Sequence, residues 1–75
     1  MSRLPRITGK QAVAALRRGG WELDRVRGSH HYLRRGTATA TVPVHSSRTL
    51  PPWVLVSILD QTGLSVDELI DLLKD

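Results

Sequence analysis

The hydrophobic positions at the two ends of the chain follow helical spacing. Apolar and small residues recur on one face over about residues 9–18, and Thr8 is placed to cap this first predicted helix. Pro51 opens a second helix, because a proline in the first turn loses no hydrogen bond. Ser65 and Glu68 have the spacing of a capping box in front of a third apolar stripe. The pattern predicts one helix before residue 20 and two after residue 50.

Between these helices the pattern changes to that of strands. Residues 21–26, 29–35 and 37–44 are rich in β-branched, aromatic and alternating positions. The short connections favour an antiparallel meander, and Pro43 places the third strand at an edge. The predicted fold is α+β in the order α-β-β-β-α-α, a three-stranded antiparallel sheet with helices on one face. The other sheet face is then free to bind a ligand.

Length and composition restrict the function classes. The 75 residues suit a single domain over residues 1–75, and the absence of cysteine excludes disulfides, thiol nucleophiles and zinc–thiolate sites. No run of 18 apolar residues is present, and the N-terminus lacks the apolar stretch of a signal peptide. We therefore expect a cytoplasmic protein without a membrane segment.

The charge is distributed unevenly along the chain. Residues 1–50 carry ten Lys or Arg and two acids, a balance of +8, whereas residues 51–75 carry one Lys and five acids, a balance of −4. A basic body of this kind suits a polyanion such as nucleic acid. Composition alone fits an ordinary charged surface equally well.

The segment Arg27–Tyr32 contains the most informative chemistry. In a strand, His30, Tyr32 and Arg34 share one face, and His31 and Leu33 share the other. If Leu33 faces the helices, His30 lies on the open face, where an imidazole can transfer protons near neutral pH. Tyr32 is either a base-stacking residue or a core residue, and the second option would reverse the two faces.

Two further residues have both a functional and a structural interpretation. His45 lies in a polar loop before the second helix, where it either binds a phosphate or holds the loop. Lys10 is either a solvated cation or a phosphate contact near a helix N-terminus. A metal site is not expected, since His30 and His31 diverge and no acid lies close in sequence.

Three motifs in a particular order resemble the HicA toxins of bacterial toxin–antitoxin systems. They are Gly28-Ser29-His30 followed by Tyr32, the strand end Val42-Pro43-Val44-His45, and the segment Leu59–Ser65. The resemblance extends from about Leu4 to Leu73. It implies a fold like that of double-stranded RNA-binding domains, an mRNA endonuclease activity that is independent of the ribosome, and inhibition by a HicB antitoxin. The family's catalytic histidine corresponds to His30, whereas His31 carries no catalytic implication.

The implied chemistry fits these residue types. The RNA 2′-hydroxyl can attack the adjacent phosphorus once a base removes its proton, so neither a metal nor another cofactor is required in principle. His30 is the expected base or acid, and either His45 or water would be the second proton-transfer group. The residues expected to bind RNA are Lys10, Arg27, Ser29, Tyr32, Arg34 and His45.

The second helix departs from the family pattern, which often has polar residues in its first turn. Here Trp53 and Val56 are expected to point outward and to contact the antitoxin or a second copy of the chain. The alternative is that Trp53 folds back over a thin core. An acidic surface is the electrostatic expectation for an antitoxin.

Two other function classes remain open from the sequence. A non-catalytic RNA-binding module of the same fold would tolerate the loss of His30. A basic interaction or DNA-binding protein is disfavoured, because the last two helices are apolar or acidic rather than basic.

Overall fold

The computed structural model describes residues 3–74 and contains the six predicted elements in the predicted order. The helices are α1 (Gly9–Arg18), α2 (Pro52–Thr62) and α3 (Val66–Leu73), and the strands are β1 (Glu22–Arg27), β2 (His30–Arg35) and β3 (Ala38–Pro43). The predicted α+β class is confirmed, and the strand limits differ from the prediction by one residue. No helix in the described part of the chain has the length and apolar character needed to cross a membrane.

Reciprocal capping boxes start α1 and α3. The Thr8 hydroxyl accepts from the Gln11 N–H at 3.1 Å, while the Gln11 side chain accepts from the Thr8 N–H at 2.8 Å. Ser65 and Glu68 make the corresponding pair at 3.1 and 2.9 Å, as predicted. Each box satisfies two backbone donors that the first helical turn leaves free, so these helix starts are encoded within four residues.

The three strands form an antiparallel sheet in the order β1-β2-β3, and an irregularity in β1 changes its register. Leu23 lies opposite Leu33, but the next pair is Arg25 with Tyr32, so Asp24 is an extra residue. Such a β-bulge inverts the alternation of side chains beyond it. This bulge was not predicted from the sequence.

The burial of Leu33 determines which face of the sheet the helices cover. Leu33, Ala40 and Val42 are buried on one side of β2 and β3, whereas Tyr32 is only half-buried on the other. The interpretation of Tyr32 as a core residue is therefore wrong. The remaining largest buried side chains come from the helices: Leu16, Leu55, Ile58 and Leu69. The sheet thus keeps one face open, as expected.

Helices α2 and α1 both contact the second half of β3. Pro43 is its last residue, and β3 is an edge strand, as predicted. The Thr41 N–H donates to Gln61 Oε1 of α2 at 2.9 Å, which satisfies a donor on the outer edge. At the end of the strand, Gly9 of α1 packs directly against the backbone of Pro43 and Val44.

The segments before α1 and before α2 are joined by backbone contacts. The Leu50 N–H donates to the Ile7 carbonyl at 2.8 Å, and Thr8 and Thr49 form an isolated bridge. Ile7 and Leu50 are both buried. This junction fixes the loop after β3 beside the first residue of β2.

Candidate active site

His30 is the first residue of β2 and is exposed on the open face of the sheet. Its cross-strand neighbours are Arg27 on β1 and Pro43 on β3. The Val44 N–H donates to the Ser29 carbonyl at 2.7 Å, so backbone pairing continues just before His30. The imidazole therefore projects from a rigid, hydrogen-bonded part of the sheet.

A pocket of about 370 Å³ opens beside His30. Its wall includes His45 and Arg48 from the loop after β3, and Trp53 from the first turn of α2. Among residues 3–74, no Asp or Glu lines it. The pocket brings two imidazoles, a guanidinium and an indole together, an arrangement that suits an anion with an attached ring.

A strained turn holds His45 and Arg48 on the same wall. The Arg48 N–H donates to the His45 carbonyl at 3.0 Å, which closes a four-residue turn. Within that turn Ser46 has φ of +57°, a left-handed conformation that costs a non-glycine residue about 1 kcal/mol or more. The tight turn presents both side chains to the pocket. Arg48 was not among the predicted site residues, because its role depends on this turn.

Tyr32 lies beside His30 and is partly covered. The ring centroids of His30 and Tyr32 are 6.4 Å apart, and the guanidinium carbon of Arg25 lies 4.8 Å from the Tyr32 ring centroid. The β1 bulge places Arg25 on the open face, where simple alternation from Leu23 would not. Arg25 is therefore a member of this basic face that was not predicted from the sequence.

Arg34 shares the open face but has an acidic neighbour. Its guanidinium lies 3.9 Å from the Asp24 carboxylate, and the two side chains are 58% and 47% exposed. An exposed pair at this distance is worth about 0–1 kcal/mol, so Arg34 can exchange its partner readily.

Of the remaining predicted residues, Trp53 lines the pocket, whereas Lys10, Ser29 and Val56 do not. Lys10 is exposed in the first turn of α1 and does not line the pocket, and Ser29 contributes its carbonyl to the sheet. Trp53 is 74% exposed, so the alternative that it covers the core is wrong. Val56 is also exposed but lies outside the pocket wall. Trp53, predicted as a partner contact, thus shares a pocket with His30.

The open face contains His30, whereas His31 points to the helix-covered side with Leu33. His31 Nδ1 is buried and has no hydrogen-bond partner within the described chain. Among residues 3–74, no three His, Asp or Glu side chains are grouped so that they could hold a metal ion.

Comparison with known proteins yields one family. The family model described as HicA toxin of bacterial toxin–antitoxin matches residues 9–64, which include all three strands, the pocket wall and α2. No curated protein matches the sequence.

Proposed function

The chain belongs to the HicA toxin family of bacterial toxin–antitoxin systems, and on that premise we propose that it is an endoribonuclease. It cleaves mRNA in the cytoplasm, blocks translation, and is neutralised by a HicB-like antitoxin. The observation that carries this proposal is His30, exposed on the open sheet face at a pocket that also holds His45 and Arg48 and that no carboxylate of the described residues lines.

The proposed reaction uses a nucleophile that the RNA itself supplies. His30 removes the proton of the 2′-hydroxyl, whose oxygen attacks the adjacent phosphorus, and the bond from phosphorus to the 5′-oxygen breaks. The products are a 2′,3′-cyclic phosphate and a 5′-hydroxyl, the latter formed when an acid protonates the leaving oxygen. Each proton transfer contributes about 10²–10⁴-fold, and the reaction needs no metal ion.

His45 is the candidate for the second proton transfer. It lines the same pocket as His30 but comes from a different segment, so the two imidazoles can approach a phosphate from different sides. This arrangement supports His45, rather than water, as the acid for the leaving oxygen.

The basic residues around His30 provide the proposed phosphate contacts. Arg27 is the cross-strand neighbour of His30, and Arg34 lies further along the same face. Preorganised cations of this kind stabilise the charge that develops on the phosphate oxygens. Lys10 lies outside the pocket, so it would contact the RNA backbone away from the scissile phosphate.

The central experiment compares two neighbouring histidines on opposite faces of β2. Wild type, His30→Gln and His31→Gln are incubated with one long RNA in EDTA, after circular dichroism has established that each is folded. We expect wild type and His31→Gln to cleave and His30→Gln to be inactive. A folded His30→Gln protein with wild-type activity would refute the proposal. RNA binding by all three without cleavage by any would instead support a non-catalytic RNA-binding module.

The role of His45 is tested with a better leaving group. His45→Gln is expected to lose about 10²–10⁴-fold on ordinary RNA. A substrate with sulfur in place of the 5′-oxygen needs little protonation, so it should restore most of the rate to His45→Gln but not to His30→Gln. A loss that the sulfur substrate does not restore would assign His45 to binding.

The antitoxin is expected to bind over the same pocket. Trp53 and Val56 form an exposed apolar surface at the start of α2, and an acidic partner surface would complement the basic open face. The same residues would serve any self-association of the toxin. Loss of antitoxin binding in a Trp53→Ala, Val56→Ala double variant would support this assignment, and unchanged binding would contradict it.

A further inference from the structure

Among the Trp and Tyr side chains of residues 3–74, Trp53 is the one that lines the pocket at the candidate site. Trp21 is buried at 3% exposure, and Arg25 covers one side of the Tyr32 ring. Trp53 is 74% exposed and still belongs to the pocket wall next to His30. An exposed indole in a pocket wall is well suited to stacking on a flat ring.

The rest of the wall fits a nucleotide. Pro43 and Pro51 add rigid apolar surface, while Arg48 and His45 add positive or polar groups on one side. Arg48 has no carboxylate partner among residues 3–74, so its guanidinium is available to an external anion. The volume of about 370 Å³ lies at the lower end of the range of roughly 300–1,000 Å³ typical of small-ligand pockets.

We propose that this pocket holds one unpaired nucleotide next to the scissile phosphate, with its base stacked on Trp53 and its phosphate bound by Arg48. The inference rests on the proposed ribonuclease function and adds its substrate class. A base inside a duplex has both ring faces stacked and cannot enter a pocket beside the sheet. The enzyme therefore cuts RNA at single-stranded positions, although its fold resembles domains that bind duplex RNA.

The test measures binding rather than cleavage, so that it can fail independently of the catalytic assignment. The His30→Gln protein, which leaves RNA intact under the proposed mechanism, is titrated with a mixed-sequence single-stranded hexanucleotide RNA and with a blunt RNA duplex. Binding of the single strand should quench the fluorescence of exposed Trp53, while buried Trp21 gives a constant background. If wild type proves not to cleave RNA, this titration still reports whether the pocket binds a nucleotide.

Val56 provides the matched control for Trp53. It is exposed on the same helix, one turn further along, and does not line the pocket. Trp53→Ala should weaken single-strand binding roughly 5- to 150-fold, the range expected for loss of one base–aromatic stack, while Val56→Ala binds normally. Both variants should bind the duplex equally.

Arg48 is tested by the salt dependence of binding. Arg48→Gln should reduce the slope of log affinity against log salt concentration by about 0.7 for the single strand, as expected for one lost phosphate contact.

An equal single-strand affinity for Trp53→Ala and Val56→Ala would overturn the proposal. So would a Trp53→Ala protein that keeps its RNA affinity and loses only its affinity for the antitoxin, since the pocket would then be a protein contact.

Discussion

The close packing of Gly9 against the end of β3 leads to a quantitative prediction for Gly9→Ala. A Cβ atom at residue 9 would overlap the Pro43 carbonyl oxygen, and would lie 2.9 Å from the Val44 Cα and 3.1 Å from the Pro43 carbonyl carbon. These are backbone atoms and cannot rotate away. Either α1 or the end of β3 must therefore move to accept the methyl group.

The magnitude follows from two opposing effects. Overpacking of this kind costs about 1–3 kcal/mol, and contact with backbone places Gly9→Ala toward the upper end. Replacing glycine by alanine in a helix returns less than about 1 kcal/mol. The net loss is about 2 kcal/mol, and a domain of this size loses about 4–8 °C in Tm for each kcal/mol. We expect the Tm to fall by about 8–16 °C.

Thermal unfolding followed by circular dichroism measures this effect, and Ala14→Gly provides the control. Ala14 is exposed on the same helix, so its replacement costs only the helix propensity of about 1 kcal/mol. The expected order of Tm is wild type, then Ala14→Gly, then Gly9→Ala. An unchanged or raised Tm for Gly9→Ala would refute the steric argument, because propensity alone predicts an increase.

At temperatures at which the Gly9→Ala protein is still folded, it should also cleave RNA more slowly than wild type. Pro43 is the cross-strand neighbour of His30, so a displaced β3 end shifts the pocket. A misplacement of about 1 Å can cost about 100-fold in rate. Ala14→Gly should cleave at the wild-type rate, and equal activity of the two variants would show that the displacement does not reach His30.

Three further predictions concern the cap of α3, the open face and the strained turn. Hydrogen bonds from the Ser65 backbone and side chain lower the pKa of Glu68 from its ordinary 4.5, so their stabilisation is present above that pH and is lost as the pH falls through the lowered pKa. The Tm advantage of wild type over Glu68→Gln should therefore shrink as the pH is lowered below 4.5, and a difference that stays constant would contradict this. Asp24→Asn releases Arg34 and removes an acid from the open face, so RNA should bind about two- to fivefold more tightly in a titration. Weaker or unchanged binding would count against RNA on this face. Ser46→Val should lower the unfolding free energy, measured by urea denaturation, by about 1–2 kcal/mol because Val disfavours a positive φ. Ser46→Gly should be neutral or stabilising. Equal effects of the two substitutions would show that the turn is not strained.

Local sequence signals predicted the helix starts and much of the core. The pairs Thr8–Gln11 and Ser65–Glu68 act across three residues, so their hydrogen bonds need no tertiary contact. Leu69, in the apolar stripe predicted behind the Ser65–Glu68 capping box, is buried as well. The motif around His30, with the resemblance it carries, likewise identified the toxin family that the family model matches.

Only the burial of side chains in the folded protein showed which face of each strand the helices cover. Alternation along β2 allowed either Tyr32 or Leu33 to face the helices, and both choices fit the sequence. Leu33 is fully buried, which leaves His30 and Tyr32 on the open face. The bulge at Asp24 then places Arg27 on that face as well, an outcome that a regular strand would have reversed.

The sequence by itself determined the order of the elements, their caps and the identity of His30 as the residue to test, because these features depend on neighbours within a few positions. Only the tertiary structure decided that Arg48 and Trp53 share a pocket with His30. His30 is distant in the chain from both of them, and they meet because Val44 pairs with Ser29 beside His30 and Leu50 pairs with Ile7 in the loop before α2. Hydrogen bonds between distant segments have no local signature, so the pocket that defines the proposed substrate became visible only in the folded chain.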